Sequence, residues 1–355
     1  MQTNLMNQFI HEEKDVLTSI LKRREDIIGE SVQAYTTNNI ENIYVIGSGT
    51  SYHAALVAKD TISKLLNKQV FVMYPTHFER EQLHLGGKQL VIGISQGGRS
   101  FSTIHGIEKA KQWGFPTIGI SEYEESDLAD TVDYFIPLSI GSVEKAGAKT
   151  KGYVGTILTL ILFAMQASGQ QDEELLKRLQ TTFSSLDTLA QISEEWYQKI
   201  KDDFYGAKDI AVIGYGTNYA TALEGALKLL ETARVPVVGY EMEEYMHGVY
   251  NCISPDSYII FLASEHKDKE RLLNMKEFLG EITDHCYVIG KEGTFEASDK
   301  DLAFAFQEQG DFSAFEYIVP LQILSSLLSA DKGIDAAIPK FPNFHTMMGS
   351  KVANV

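Results

Sequence analysis

Residues 43–56 of the chain read IYVIGSGTSYHAAL, and residues 210–223 read IAVIGYGTNYATAL. Nine of the fourteen aligned positions are identical at a single offset of 167 residues. A match this dense at one offset indicates that the chain carries two copies of one domain. In each copy an apolar run is followed by Gly-x-Gly-Thr and then by a segment rich in Ala and Leu. This is the pattern of a buried strand, a tight turn and a helix.

Further strands are predicted at matching places in the two copies. They are Val70–Met73 and Val235–Val238, Leu90–Ile94 and Ile259–Ala263, and Thr117–Ile120 and Cys286–Ile289. Helical patterns lie between these strands, and such alternation predicts a parallel sheet with helices on both faces. The predicted fold class is α/β, with two tandem three-layer α-β-α domains of flavodoxin or Rossmann type. Ligands of such folds bind at the carboxyl ends of the strands.

The same patterns divide the 355-residue chain into segments. We expect an N-terminal helix in residues 1–36, a first domain in 37–170, a linker helix in 171–202, a second domain in 203–338 and a C-terminal tail in 339–355. Two domains of ordinary size are what a chain of this length is expected to hold.

Charge and composition exclude several classes of function. The formal net charge is −17, whereas nucleic acids and anionic membranes bind basic faces. The two cysteines, Cys252 and Cys286, form no CxxC pair, and no HExxH motif occurs, so we predict no metal site and no cofactor. The most apolar stretch, Val154–Ala167, is shorter than the about 20 residues of a membrane span. The N-terminus is amphipathic and does not resemble a signal peptide, so we expect a cytoplasmic protein.

Two turns rich in hydrogen-bond donors follow predicted strands of the first copy. Gly47-Ser48-Gly49-Thr50-Ser51 leaves the first strand and opens a helix, and Ser95-Gln96-Gly97-Gly98-Arg99-Ser100 leaves the third. Glycines let backbone N–H groups approach an anion, and hydroxyls add donors at the positive end of a helix. Together the turns predict a phosphate site. In the second copy Tyr215 and Asn218 replace two hydroxyl positions, and there a ligand site and a plain tight turn both stay open.

These turns lack the sequence of a nucleotide-binding loop. The dinucleotide fingerprint needs a third glycine where Tyr52 stands, and an acidic residue where Met73 and Tyr74 end the second strand. No GxxxxGK[ST] loop occurs either. NAD binding and ATP hydrolysis are therefore not predicted.

With these residues in hand, the chain resembles the SIS (sugar isomerase) family. Within that family it is similar to the isomerase half of glucosamine-6-phosphate synthase and to stand-alone relatives such as fructosamine-6-phosphate deglycases. Four segments carry the resemblance, namely residues 49–53 (GTSYH), 95–98 (SQGG), 222–231 (ALEGALKLLE) and 244–248 (EYMHG). The third segment is the most specific of the four.

The resemblance implies roles for individual residues. Glu231 would move a proton between C1 and C2 of a sugar, and His247 would assist ring opening. Lys228 would lie beside the sugar, and Lys351 falls where the family has a Schiff-base lysine. The phosphate would be held by Gly49, Thr50, Ser51, Ser95, Gln96, Gly97 and Ser100. A substrate loop would contain Gly147, Ala148 and Lys149.

Several positions depart from the family pattern. The family's Ser-Gln-Ser-Gly-Glu-Thr is Ser-Gln-Gly-Gly-Arg-Ser here, so Gly97 removes a hydroxyl and Arg99 adds a cation. Lys149 stands where a serine is usual, and Val249 stands where a proline is usual. Position 2 is Gln2, and the resemblance does not extend to the family's glutamine-hydrolysing domain with its N-terminal cysteine. Glutamine-dependent amination is therefore not expected of this chain alone.

Residues and resemblance together predict an enzyme acting at C1 and C2 of an amino- or amine-linked ketose 6-phosphate. It would be a deglycase, deaminase or aldose–ketose isomerase related to glutamine–fructose-6-phosphate aminotransferase. A carboxylate on a rigid helix can serve both carbons, and histidine titrates in the range that ring opening needs. Two alternatives stay open: an aminotransferase-like enzyme that takes ammonia from a partner, and a sugar-phosphate-sensing module without catalysis. The family forms dimers with the site near the subunit boundary, and we expect a homodimer here.

Overall fold

The computed structural model describes residues 4–80, 87–170, 172–308 and 310–352, apart from the side chain of Arg80. Within these residues the chain forms two five-stranded sheets. Neighbouring strands in both sheets pair in parallel. The predicted α/β fold, with two tandem parallel sheets flanked by helices, is confirmed.

The first sheet contains the first of the two repeated sequences. Its strands are β1 (Ile40–Ile46), β2 (Gln69–Met73), β3 (Lys88–Ile94), β4 (Thr117–Ser121) and β5 (Tyr134–Pro137). Their order across the sheet is β2-β1-β3-β4-β5. The strand order therefore reverses between β1 and β3, and a reversal of this kind is where open α/β sheets bind their ligands.

The second sheet has the same topology. Its strands are β6 (Ile210–Gly214), β7 (Val237–Glu241), β8 (Tyr258–Ala263), β9 (Cys286–Lys291) and β10 (Leu302–Phe304). The order β7-β6-β8-β9-β10 repeats that of the first sheet strand for strand. Shared topology is what a duplicated domain predicts, and it puts the second reversal point between β6 and β8.

Helices connect and flank the strands. Those that precede β1 are α1 (Leu5–His11), α2 (Glu13–Lys22), α3 (Arg24–Ile28) and α4 (Gln33–Thr36). Those between β1 and β6 are α5 (Thr50–Leu66), α6 (Pro75–Arg80), α7 (Phe101–Gln112), α8 (Asp127–Thr131), α9 (Lys151–Ala167), α10 (Glu173–Ser184) and α11 (Leu186–Phe204). Those that follow β6 are α12 (Thr217–Ala233), α13 (Met242–Met246), α14 (Lys269–Gly280), α15 (Ala314–Asp331) and α16 (Phe344–Met347). Short 3₁₀ turns occupy Gly29–Val32 and Val249–Cys252.

Residue contacts divide the chain into two compact units. The β1–β5 unit comprises Asp15–Glu144, Lys151–Leu176 and Lys340–Val355. The β6–β10 unit comprises Met1–Lys14, Lys145–Thr150 and Lys177–Pro339. The C-terminal segment thus belongs with the first sheet, although it follows the second along the chain. The predicted domain boundaries, residues 37–170 and 203–338, stay a prediction.

The structure differs from the sequence-based expectation at short and interrupted elements. The sequence does not predict β5 and β10. β5 has four residues and ends in Pro137, and β10 has three residues, so neither is long enough to show a strand pattern. β7 begins after Pro236, because proline has no N–H to donate to a strand ladder. The expected N-terminal helix is divided, with Gly29 at a φ of +49° between two of its parts. The expected linker helix breaks at Ser185, whose hydroxyl donates to Glu316 at 2.6 Å.

Helix α9 forms much of the interior of the β1–β5 unit. All but one of its seventeen residues are buried, including Tyr153 and Phe163. Burying so many apolar side chains is the main favourable contribution to folding. This helix contains the most apolar stretch of the chain, yet no helix within the described ranges has the length and apolar character to cross a bilayer.

Candidate functional site

The turn after β1 has the backbone geometry of an anion-binding helix start. Gly49 precedes the first turn of α5 with φ 56° and ψ −130°, a conformation that favours glycine. Thr50 and Ser51 open the helix and are half-buried. The first N–H groups of a helix have no partner within it, and the helix dipole makes that end positive. This turn can therefore supply both amide and hydroxyl donors to an anion.

The turn after β3 is held by its own serines. Ser95 is buried, and its Oγ accepts a hydrogen bond of 3.2 Å from the N–H of Ser100. Ser100 stands directly before α7, and its Oγ accepts a 3.0 Å hydrogen bond from the hydroxyl of Thr103. β1 and β3 are neighbours in the sheet, so the two predicted phosphate-binding turns leave the sheet at its reversal point. Both turns follow the strands after which the sequence predicts them, and phosphate binding by these turns stays a prediction.

Gln96 makes contacts that the sequence did not predict. Its Nε2 donates to the carboxylate of Glu144 at 3.0 Å and lies 3.3 Å from that of Glu122. Glu144 is buried and also accepts a 3.0 Å hydrogen bond from the N–H of Gly152 at the start of α9. The side chain of Gln96 is thereby fixed by two acids, whereas Gly97 beside it is exposed. No local pattern marks Glu122, which is far from Gln96 along the chain.

The C-terminal tail brings Lys351 to the turn after β3. Lys351 pairs with Ser100 in an isolated antiparallel bridge. The N–H of Phe101 donates to the carbonyl of Ser350 at 3.2 Å, and the N–H of Val352 donates to the carbonyl of Arg99 at 3.0 Å. The predicted lysine and a predicted phosphate-binding hydroxyl are therefore neighbours, although 251 positions separate them in the sequence.

The predicted substrate loop belongs to the β6–β10 unit. Ala148 is buried, whereas Gly147 is exposed and Lys149 is half-buried. A Cβ built on Gly147 would lie 3.3 Å from the carbonyl oxygen of Ala336. The backbone of this loop is therefore packed closely against another part of its own unit.

Three charged residues form a cluster on α12. Lys228 is 1% exposed, and its Nζ lies 3.3 Å from Oε1 of Glu224, which is wholly buried. The same Nζ donates to Oε2 of Glu231 at 2.7 Å, and the Glu231 side chain is 36% exposed. Burial alone would lower the pKa of Lys228, but the two carboxylates outweigh burial and raise that pKa above its ordinary value. Lys228 is therefore a buried, permanently charged ammonium that contacts the partly exposed carboxylate of Glu231.

His247 lies on the surface at the end of α13. Its side chain is 68% exposed. Its Nδ1 lies 2.7 Å from the backbone carbonyl of Glu243, and the Glu243 carboxylate pairs with Arg271 at 2.8 Å. Because Nδ1 is engaged with the backbone, Nε2 is the ring nitrogen available for proton transfer to another molecule.

Glu231 and His247 are not brought together within the β6–β10 unit. Glu231 is in the last turn of α12, shortly before β7 begins at Val237, which pairs with the first residue of β6. His247 follows the end of β7 at Glu241, which pairs with the last residue of β6. One residue therefore lies at the edge where the strands start and the other at the edge where they end. The length of a strand separates them, because the chain crosses the sheet between the two positions.

The turn after β6 is closed by its own side chains. Gly216 repeats the backbone of the first copy, with φ 54° and ψ −135°. Tyr215 is buried, and its hydroxyl donates to the carbonyl of Ser264, the residue after β8. Asn218 is also buried and donates to the hydroxyl of Ser313 at 3.2 Å. At the second reversal point these contacts favour the tight-turn interpretation over a ligand site.

Comparison with known proteins agrees with this division into two copies. A family model described as the SIS domain matches residues 38–166 and 203–328. These two segments contain the strands of the first and the second sheet, respectively. The match covers well over half of the chain.

Two solved structures are similar over nearly the whole chain. A candidate phosphosugar isomerase of Clostridium difficile 630 is 29% identical, with a TM-score of 0.88 over 98% of this chain and 99% of that one. A candidate sugar-binding protein of Salmonella typhimurium LT2 is 35% identical, with a TM-score of 0.83 over 91% of this chain and 99% of that one.

Curated relatives are longer than this chain. The glutamine–fructose-6-phosphate aminotransferase (isomerizing) of Gloeobacter violaceus is 28% identical over 354 residues. The match covers 95% of this chain but only 57% of that protein. The chain thus spans a little over half the length of such a relative.

Proposed function

Because the chain belongs to the SIS domain family, we propose that it is an isomerase-type enzyme that processes phosphorylated sugars. The reaction we propose takes place at C1 and C2 of an amino- or amine-linked ketose 6-phosphate. It is deglycation, deamination or aldose–ketose isomerisation, which share the movement of a proton between these two carbons. The two similar solved structures, one described as a phosphosugar isomerase and one as sugar-binding, support the substrate class.

The turns of the β1–β5 unit support the phosphate half of the proposal. Two neighbouring strand ends carry the hydroxyls of Ser51, Ser95 and Ser100 together with the N-terminal ends of α5 and α7. Lys351 adds a cation beside Ser100. Local donors of this kind can hold a phosphate in a protein whose net charge is negative.

The observation that carries the proposal is the cluster on α12. A proton shift between adjacent carbons needs one base that can reach both, and Glu231 is an accessible carboxylate on a rigid helix. Lys228 fixes the position of that carboxylate from the buried side, and Glu224 fixes Lys228. Since the neighbouring carboxylates raise the pKa of Lys228, this residue stays protonated at neutral pH. We therefore assign Lys228 an electrostatic role through Glu231 and not a role as a nucleophile.

We further propose that His247 acts on the substrate of a second copy in a homodimer. Glu231 and His247 of one chain lie at opposite edges of the second sheet, so one chain does not offer both to the same two carbons. The imidazole of His247 is exposed, and its Nδ1 contacts a backbone carbonyl, which leaves Nε2 for proton transfer to another molecule. A homodimer supplies the missing partner, since symmetric pairs are the commonest assemblies of soluble proteins.

Hydrogen exchange at the sugar carbons tests the proposal. A panel of fructose 6-phosphate and C6-phosphorylated ketosamines is incubated with the protein in deuterated water. Released phosphosugar and amine are quantified alongside deuterium at C1 and C2. We expect exchange with at least one member of the panel, and we expect Glu231→Gln to slow it by about 10²- to 10⁴-fold. Glu270→Gln, an exposed acid in the first turn of α14, is the matched control and leaves exchange unchanged.

An aminotransferase-like activity is the second candidate. The curated relative from Gloeobacter violaceus supports it, since that protein carries the aminotransferase name and matches nearly all of this chain. Fructose 6-phosphate is supplied with ammonium, and glucosamine 6-phosphate is measured. Formation of the amino sugar supports this candidate. A protein that binds the sugars of the panel, exchanges no carbon-bound hydrogen and forms no amino sugar is instead a sensor.

A further inference from the structure

The C-terminal tail is fastened to the turn after β3 at more than one point. The N–H of Val352 donates to the carbonyl of Arg99, and the N–H of Phe101 donates to the carbonyl of Ser350. The guanidinium of Arg99 also donates to the carbonyl of Val352. Arg99 therefore binds Val352 through its main chain and through its side chain.

This pairing decides where Lys351 projects. The hydrogen bonds join the residues on either side of Ser100 and Lys351, so these two form a non-hydrogen-bonded antiparallel pair. In such a pair the Cα atoms lie about 4.5 Å apart, and both side chains leave the same face. The ammonium of Lys351 is thus carried on the face of the turn that presents the Ser100 hydroxyl.

Two functions are conceivable for Arg99, which stands where the family has an acid. A guanidinium beside a phosphate site can bind the phosphate itself. In this structure, however, the guanidinium is directed to the tail and donates to a backbone carbonyl. The side chain is half-buried in that position. Its fork of N–H groups suits a fixed acceptor of this kind.

We propose that Arg99 is a positioning residue, which anchors the C-terminal tail so that Lys351 stands beside Ser100. The inference rests on the proposed function only for its consequence in catalysis, because the anchoring itself is a property of the β1–β5 unit. Without the guanidinium the tail keeps its two main-chain bonds to the turn and the packing of Val352 against the core cluster that contains Ile104. Chain ends open readily, so we expect the loss of the guanidinium bond to raise the fraction of molecules in which the tail is undocked.

Amide hydrogen exchange tests the anchoring without any substrate. We expect Arg99→Gln to speed exchange at the amide of Val352 by at least about tenfold, whereas amides of β3 stay protected. The matched control is Arg24→Gln, because the Arg24 guanidinium also donates to a backbone carbonyl, that of Leu21 at 3.1 Å. Arg24→Gln leaves the tail unchanged. Equal exchange at Val352 in the Arg99→Gln variant and the wild-type protein overturns the anchoring.

Turnover in a double-mutant cycle tests the consequence for catalysis. We expect Arg99→Gln and Lys351→Ala each to lower turnover by about 10- to 100-fold. The two changes together are expected to lower it no further than Lys351→Ala alone, because Arg99 acts through Lys351. If Arg99→Gln lowers turnover by the same factor in the Lys351→Ala variant as in the wild-type protein, Arg99 acts independently of Lys351, as a phosphate ligand would. That result overturns the inference.

The two arms separate failure of this inference from failure of the proposed function. If the wild-type protein turns over no sugar phosphate, the proposed function is wrong, and the exchange measurement still decides whether Arg99 anchors the tail. Arg99→Lys is a second variant in case Arg99→Gln folds poorly. It keeps the charge but not the planar fork, and we expect faster exchange at Val352 with an unchanged melting temperature. Protection equal to that of the wild-type protein in Arg99→Lys shows that the fork is not the anchor.

Discussion

The ammonium of Lys228 lies 2.7 Å from the carboxylate of Glu231, one helical turn further along α12. Lys228 is buried and Glu231 is accessible, so the positive charge acts from the protein side on a group that faces solvent. The wholly buried Glu224 completes the cluster at 3.3 Å from the same ammonium. The two carboxylates therefore keep Lys228 in its charged form despite its burial.

Removal of the buried ammonium is expected to destabilise the protein strongly. Lys228→Met leaves the carboxylate of Glu224 buried without its cation, and breaking such a pair costs about 3–5 kcal/mol. Urea unfolding at neutral pH measures the loss. The control is the double variant Glu224→Gln/Lys228→Met, which removes both buried charges and is expected to recover most of the stability. A loss below about 1 kcal/mol in the single variant contradicts the buried-pair assignment.

The turn after β3 offers a matched pair of glycines. Gly98 has a φ of +65°, and a Cβ there would lie 2.3 Å from the Cβ of Ser126 and 2.8 Å from Oγ of Ser121. Apart from its two chain neighbours, no described residue has a heavy atom within 4 Å of a Cβ built on Gly97. We expect Gly98→Ala to lose more than about 1–2 kcal/mol of stability, because a left-handed residue with a side chain is strained. Gly97→Ala is expected to stay within about 0.5 kcal/mol of the wild-type protein.

The same two variants, Gly98→Ala and Gly97→Ala, also test phosphate binding, through the inhibition of turnover by inorganic phosphate. Since Gly98→Ala displaces the turn that carries Ser95 and Ser100, it is expected to weaken phosphate inhibition of turnover. Gly97→Ala keeps the backbone N–H that this residue would offer to a phosphate, so it is expected to keep the inhibition. Equal inhibition in both variants contradicts the assignment of phosphate binding to this turn.

Mixed dimers test the assignment of His247 to a second copy. Glu231→Gln and His247→Asn are each expected to be inactive alone. After the two variants exchange subunits, heterodimers contain one site with both wild-type groups, so random mixing restores about a quarter of wild-type activity. Mass-tagged subunits show the extent of exchange. A fully exchanged mixture without activity shows that the two residues do not meet across a subunit boundary.

Acid is expected to loosen the tail. Burial, and then the ammonium of Lys351, lower the pKa of His345 below its ordinary value of 6.5. The docked tail thus binds the proton less well than the undocked tail, so docking is most stable above pH 6.5 and weakens as the pH falls through the lowered pKa. NMR titration of the His345 ring, together with a fluorophore on the tail, measures both steps. His345→Asn is expected to remove the acid-dependent step, and a ring that titrates above 6.5 contradicts the docking.

The sequence predicted the parts of the molecule that local pattern determines. The repeated strand, glycine turn and helix identified both sheets, because burial and turn chemistry act on neighbouring residues. The glycine-containing turns also predicted that Ser95 and Ser100 lie where ligands bind, because the carboxyl ends of parallel strands meet at one edge of the sheet. β5 and β10 were missed, because an edge strand of three or four residues has no recognisable period.

Contacts between distant positions were beyond local pattern. The bond from Arg99 to Val352 spans 253 positions, and nothing in either residue's neighbourhood predicts it. The spacing of Glu224 and Lys228 shows that they share a helix face but not that this face is buried. The separation of Glu231 from His247 follows from the direction in which the chain crosses the second sheet, and motif spacing carries no such information.

Tyr215 has a consequence for how many ligands the protein holds. Its buried ring and its bond to Ser264 close the turn after β6, whereas we propose that the corresponding turn of the first copy binds a phosphate. We therefore expect the duplication to have doubled the scaffold but not the number of ligand sites, and titration calorimetry to give a stoichiometry of one sugar phosphate for each chain.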